Sequence, residues 1–175
     1  MRFTITDELP YPRDLVFKTH RDKLQELVEY LPNIESVECK SRKENGPITK
    51  LENFWTGTTS DVPAVLRPII KAQYLTWTDF AEWDEENHRC SWNIVLGVLP
   101  NSVTARGVNI FREEGDETIV DITGEFIVHP NNIPHVPNFV AKKATPAIEK
   151  FVVSLLKPNL RMSNAAVVEY IDDNE

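Results

Sequence analysis

The sequence predicts an α+β fold in which an antiparallel sheet of about seven strands curves around a long C-terminal helix. Alternating strand patterns run through most of residues 34–129, and short connections join the later strands, as antiparallel neighbours allow. Two short helical stretches follow the first strand, and a helical apolar stripe follows residue 138. A curved sheet cannot leave an apolar face in water, and one long helix laid across that face covers it.

The first elements have clear start and stop signals. Arg2–Leu9 alternates apolar and polar residues, as a half-buried strand does. A helix then begins beside Pro12, because the first helical turn does not use the N–H that proline lacks. Pro32 closes a second short helix, since the residue before a proline is pushed out of helical geometry. That helix carries Leu24, Leu27, Val28 and Leu31 at helical spacing.

Six further strands and a long helix complete the prediction. The strands are Ile34–Lys43, Thr49–Thr58, Tyr74–Asp84, His88–Leu96, Val103–Glu113 and Thr118–His129. Asn45-Gly46 predicts the first hairpin turn. An apolar segment with two prolines, residues 61–72, interrupts the sheet. We expect the last helix to kink or break at Pro146 and to end at Pro158, with a separate helical piece after it.

Composition narrows the class of protein. The chain has 175 residues, 41% hydrophobic and 26% charged, which predicts one globular domain spanning 1–175. A net charge of −8 argues against nucleic-acid binding, which needs clustered basic residues. Cys39 and Cys90 lie far apart and match no metal-ligand spacing, so we expect no disulfide framework. The sequence shows neither the pattern of a secretion signal nor a membrane-spanning apolar run. These features predict a cytoplasmic protein; they leave its oligomeric state open.

The element order resembles the helix-grip fold of the START and Bet v 1-like (SRPBCC, polyketide cyclase-like) superfamily. The carriers are "ELPYPRDLVFKTHRDKLQELVEYLPNIESVE" (Glu8–Glu38) and the gripping-helix candidate "FVAKKATPAIEKFVVSLL". "WTGTTSDVPAVLRPII" before a long hairpin is similar, more loosely, to PRELI-type lipid-transfer proteins; a coenzyme Q-binding group is also part of the superfamily. The resemblance covers essentially the whole chain and specifies fold better than chemistry.

The resemblance implies a cavity between the sheet and the C-terminal helix that holds a small hydrophobic ligand such as a lipid, a quinone or a polyketide-like compound. Strand and helix periodicity selects the side chains that would line it. These candidates are Trp55, Trp77, Trp92, Ile94, Ile122, Phe126, Val140 and Ile148. The alternative for each position is ordinary core packing. Gly124 either admits a ligand or a bulge, or lets a bulky neighbour approach.

Residues 62–70 form an amphipathic segment with basic edges. Its apolar residues Val65, Leu66 and Ile69 predict a lid over the cavity or a site of transient membrane contact. An ordinary capping turn is the alternative.

Catalytic and metal motifs are weak. The sequence lacks GxSxG, HExxH, P-loop and GxGxxG patterns, and it predicts no cofactor. A metal site needs about three converging N, O or S ligands. The spacing of His129, Asn131, Asn132 and His135 gives little support for one, so no metal site is predicted. Asp79 can act as a buried general acid or base if it shares the face of Trp77; otherwise it lies outside or pairs with a basic residue.

The sequence is compatible with three functions. The first is non-catalytic binding or transport of an apolar molecule. The second is a cyclase or hydratase that uses a cavity carboxylate or histidine. The third is a protein-interaction module, which a filled core and an exposed apolar patch would favour.

Overall fold

The computed structural model describes residues 1–58, 75–97, 101–132 and 137–174, with backbone alone at 141, 144, 147, 148 and 150–156. The strands are β1 (Arg2–Leu9), β2 (Ile34–Asn45), β3 (Ile48–Gly57), β4 (Thr76–Asp84), β5 (Arg89–Leu96), β6 (Val103–Glu114) and β7 (Glu117–Val128). Within these ranges the helices are α1 (Arg13–Asp22), α2 (Asn138–Asn174) and two 3-10 helices, Glu26–Tyr30 and Pro130–Asn132. This order confirms the predicted α+β fold.

The seven strands of the described residues form one antiparallel sheet in the order β1-β7-β6-β5-β4-β3-β2. The strands therefore run as a meander from β2 to β7, and β1 pairs with β7 to complete the sheet. Residues paired across antiparallel strands point to the same face. The register row that contains Ile5, Ile122, Asn109, Cys90, Trp83 and Thr49 defines the face that we call the inner face.

The helix α2 contacts β1, β7 and the Glu26–Tyr30 helix, where Tyr30 Oη donates to Asp173 Oδ2 at 2.9 Å. Its Glu149 carboxylate accepts a hydrogen bond from the Val128 backbone N–H at 3.0 Å. Further along, Asn164 Nδ2 donates to Asp7 Oδ2 at 2.8 Å. These bonds hold α2 against the β1–β7 side of the sheet.

The expectation that Pro158 ends the long helix is wrong. α2 continues through both Pro146 and Pro158 to Asn174. An internal proline costs about 3 kcal/mol of helix stability, but the residues after Pro158 bury a large apolar surface. Ala166, Val167 and Ile171 are each no more than 1% exposed. Packing of this last part of the helix offsets the local cost, which the sequence pattern alone does not reveal.

The core fills the inner face around Trp83 and Phe111 and extends along β7 to Phe126 and Val128. From α1, the Phe17 ring meets Trp83 edge-on at 5.1 Å and Phe111 at 5.2 Å between ring centroids. Val16, Val120 and Val167 have no exposed surface. At this end of the sheet the side chains of α1, β6, β7 and α2 therefore form a close-packed interior.

Candidate functional site on the inner face

Burial decreases along the inner face in the same direction on three neighbouring strands. On β4, Trp83 and Ala81 are buried, whereas Asp79 and Trp77 are half-buried. The same change occurs from Asn53 to Trp55 on β3, and on β5 from Cys90 to Trp92, Ile94 and Leu96. The half-buried positions form a continuous area, which we call the tryptophan wall: Trp55, Trp77, Asp79, Trp92, Ile94 and Leu96.

The sheet register brings the predicted wall residues together. Trp55 lies directly opposite Trp77, and Trp77 lies opposite Leu96. The Trp55 and Trp77 rings stack with their centroids 5.8 Å apart and 9° between their planes. Trp55 also has a buried indole N–H without a hydrogen-bond partner among the described residues. The wall is thus a flat aromatic surface with a polar atom left unsatisfied beside it.

Asp79 sits within this wall and shares the face of Trp77, as its alternating position predicts. It lies opposite Asn53 on one side and Ile94 on the other. Burial raises the pKa of Asp79 to about 7, and a hydrogen bond from the Asn53 side chain, which favours the ionised form, offsets part of that effect. No lysine or arginine of the described ranges forms an ion pair with it. The carboxyl can therefore hold or release a proton near neutral pH.

Two asparagines that sequence reasoning missed order the polar part of the site. Asn53 is only 2% exposed and bonds to Asp79. Asn109 Oδ1 accepts a hydrogen bond from Trp92 Nε1 at 2.8 Å, which fixes the indole orientation. Strand alternation could have identified both residues, because each asparagine occupies an inward position of a strand whose other inward residues are mostly apolar.

Gly107 and Gly124 make room for aromatic rings on the inner face. A Cβ at Gly107 would lie 2.2 Å from Trp92 Cζ2, and one at Gly124 would lie 2.5 Å from Phe3 Cζ. Of the roles predicted for Gly124, the structure shows close approach of a bulky neighbour. Both glycines thus serve packing of the rings against the sheet.

The other predicted lining residues are not part of the tryptophan wall, although Phe126 lies in the same register row as Asp79 and Ile94. Ile122 and Phe126 are 1% and 4% exposed and belong to the packed core. Val140 is 43% exposed in the first turn of α2, so its side chain is not enclosed with the tryptophans. The side chain of Ile148 and the predicted lid residues Val65, Leu66 and Ile69 lie outside the described residues.

The histidines of the described ranges lie away from the wall. His20 is buried in the core beside Trp83 and Phe111. His88 bonds to Asp14 at 2.8 Å, and His129 bonds to Thr104 at 2.8 Å. His135 is outside the described residues. Among the described side chains, no three of the His, Cys, Asp and Glu residues converge as metal ligands do. None of the helices in the described part of the chain is long and apolar enough to cross a bilayer.

Several solved structures share this architecture. An aromatase/cyclase, Zhui from Streptomyces sp. R1128, matches 98% of this chain and 93% of its own with a TM-score of 0.69 at 15% identity. Ara h 8.0201 matches 99% of both chains with a TM-score of 0.61 at 15% identity. The chain has the Bet v 1-like helix-grip fold. Norcoclaurine synthase from Thalictrum flavum shares it, with a TM-score of 0.63 at 14% identity over 100% of this chain and 95% of that one. 

Sequence comparison adds little to this helix-grip assignment. No protein-family model matches the chain. A chromophore lyase, CpcS/CpeS 2 from Trichodesmium erythraeum, is 26% identical over 98 residues, which is 55% of this chain and 47% of that protein. The match thus spans about half the length of the curated relative. At these identities the structural neighbours define the fold and leave the chemistry to the residues of the site.

Proposed function

We propose that the protein binds or carries a small apolar molecule against the tryptophan wall. The observation that supports this most directly is the half-buried state of Trp55, Trp77 and Trp92 on the inner face, beside the close-packed core. Large aromatic side chains are costly to leave partly uncovered on the inner side of a sheet, and pockets for small molecules combine such surfaces with a few polar groups. Here Asp79 and Asn53 are those polar groups.

The test starts with native mass spectrometry of the purified protein, followed by solvent extraction of any passenger. Panels of lipids, quinones and polycyclic aromatics are then titrated while tryptophan fluorescence and thermal stability are followed. Binding should weaken strongly in Trp77→Ala and stay unchanged in Phe80→Ala, because Phe80 is 44% exposed on the outer face of the same strand. A protein that purifies empty and responds to no panel member contradicts the proposal.

A second candidate, cyclisation of a polyketide-like substrate, is favoured by Asp79, a carboxyl group that lies among the wall tryptophans and whose pKa burial raises to about 7. In its ionised form Asp79 can take a proton from a carbon beside a carbonyl group, and it can return that proton to a departing hydroxyl group as water forms. Aromatase/cyclases are among the structural neighbours. A linear triketone converted to orcinol and water is a balanced test reaction. Asp79→Asn should abolish catalysis of this reaction. If the wild-type protein does not raise the rate above the uncatalysed rate, the cyclase function is excluded.

The interaction-module alternative has less support. Phe80 and Ile110 are exposed on the outer face, but they oppose Asn93 and Arg89, four positions apart on β5. They therefore stand singly, which is usual for surface hydrophobics.

Transient membrane contact is part of the carrier proposal. At the start of α2, Phe139 is 76% exposed and Val140 43% exposed, and Lys142 and Lys143 follow them with exposed side chains. Apolar side chains beside lysines suit an anionic lipid surface. Phe139→Ser should reduce co-sedimentation with phosphatidylglycerol vesicles, whereas Phe80→Ser should not; equal binding of both variants would argue against this surface.

We further propose that residues 1–175 act as one domain in the cytoplasm. Core packing remains the alternative for Ile122 and Phe126, so we leave them and Val140 out of the ligand contact surface.

A further inference from the structure

Three of the four tryptophans of the chain surround one carboxyl group. Trp77 is two residues from Asp79 on the same strand and face. Trp55 and Trp92 are its diagonal neighbours, because they pair with Trp77 and Ala81 respectively. Diagonal neighbours on one face of a sheet are about 7 Å apart, within reach of long and aromatic side chains. The wall is therefore an aromatic surface with an acid group at its centre.

This arrangement suits positive charge. The face of an indole ring attracts cations through its quadrupole, and tryptophan does so better than the other aromatic residues. The Asn53 side-chain amide donates a hydrogen bond to the ionised form of Asp79, so the carboxylate already has one hydrogen-bond donor within the protein. No lysine or arginine within the described ranges neutralises it. A ligand cation would supply the missing partner and would offset the cost of a desolvated carboxylate.

A bare metal ion is a poorer match for the same site. Calcium and magnesium take six or more oxygen ligands, and the described side chains include no group of three acids or histidines that could hold a metal. Hydrocarbon attached to the cation, by contrast, would cover the stacked Trp55–Trp77 surface.

We propose that the ligand is an apolar amine bound in its protonated form, with its ammonium group on the Asp79 carboxylate and its hydrocarbon body along Trp55, Trp77 and Trp92. This inference rests on the proposed binding function and narrows it to one class of ligand. It also separates the site from one that would bind a lipid or a quinone through apolar contact alone.

The test compares two probes of the same shape, naphthylmethylamine and naphthylmethanol, by tryptophan fluorescence at a pH of about 8. There the amine is protonated and most of Asp79, with a pKa of about 7, is ionised. We expect the wild-type protein to bind the amine at least about tenfold more tightly than the alcohol, from a charge-assisted hydrogen bond and cation–π contact together.

Three variants separate this charge preference from general attraction to an acidic protein. Asp79→Asn should lose the preference while still binding the alcohol. Glu82→Gln removes the same charge from the outer face of β4, where Glu82 pairs with Lys50 at 2.8 Å, and should keep the preference. Trp77→Leu keeps an apolar side chain without a ring, so it should weaken the amine several-fold more than the alcohol.

The outcomes distinguish the two levels of proposal. Equal affinity for amine and alcohol in wild type overturns the amine inference and leaves apolar binding standing. A preference that survives Asp79→Asn also overturns it, because the charge would then act from elsewhere. Binding of neither probe, nor of any apolar panel compound, overturns the binding function itself.

Discussion

The indole rings of Trp55 and Trp77 lie nearly parallel, 9° apart with centroids separated by 5.8 Å, on adjacent strands of the inner face. Each ring supports the other, because the two residues are directly paired across β3 and β4. Aromatic pairs of this kind contribute about 0.5–1.5 kcal/mol beyond the burial of their area. The stack thus makes one rigid surface from two half-buried side chains.

The stack should be measurable as a coupling energy. A double-mutant cycle of Trp55→Leu and Trp77→Leu, followed by urea unfolding, should give about 1 kcal/mol of interaction. The pair of Trp55→Leu with Phe80→Leu is a matched control, because Phe80 lies on the opposite face of β4. Additive costs for Trp55 and Trp77 would mean that the rings do not support each other in solution.

Gly107 holds Trp92 in place by lacking a side chain. A Cβ there would lie 2.5 Å from the Thr123 backbone oxygen as well as 2.2 Å from the Trp92 ring, and the backbone oxygen cannot move aside cheaply. Gly107→Ala should therefore cost about 2–3 kcal/mol in chemical denaturation and alter Trp92 fluorescence. Gly115→Ala meets open space and bears only the strain of φ +63°, at a cost of about 1 kcal/mol. Equal losses in the two variants would contradict this role.

Asp79 should make the protein less stable as pH rises. Its pKa is about 7 in the folded state against 3.8 for an ordinary aspartate, so the folded form holds the proton more tightly between those values. Stability contributed by this proton is complete below pH 3.8 and is lost as pH rises through 7. Asp79→Asn should raise the free energy of unfolding at pH 8 by up to about 4 kcal/mol, and by progressively less as pH falls towards 4. A gain that does not change with pH would point to a cause other than ionisation.

His20 should act in the opposite direction over the same range. Burial beside Trp83 lowers its pKa to about 4 from 6.5, although a hydrogen bond with Asn164 opposes the shift. The unfolded chain therefore binds the proton more readily, and stability falls as pH drops from 6.5 towards 4. In His20→Gln this acid loss, about 3 kcal/mol at most, should disappear from plots of unfolding free energy against pH. If the free energy of unfolding of His20→Gln still falls at low pH as in the wild type, other groups cause the loss of stability.

Much of the fold follows from short-range patterns. Alternation placed the strands to within a few residues, and Pro12 and Pro32 marked where the first two helical stretches begin and end, because proline restricts its own backbone and that of the residue before it. The same rule gave a wrong prediction at Pro158, where the helix continues to Asn174. There the burial of Ala166, Val167 and Ile171 outweighs the local penalty, and no local pattern carries that balance.

The candidate site divides in the same way. Alternation by itself determined that Trp55, Trp77, Trp92 and Ile94 point to one side of their strands, since side chains in a strand alternate strictly between faces. It assigned Ile122 and Phe126 to the same side with equal force, yet they are packed in the core. The tertiary structure alone decided which part of that face α1 and α2 fill, and it alone placed Asp79 and Asn53 opposite each other among the tryptophans. Burial and pKa depend on neighbours from distant parts of the chain, and the sequence does not state those distances.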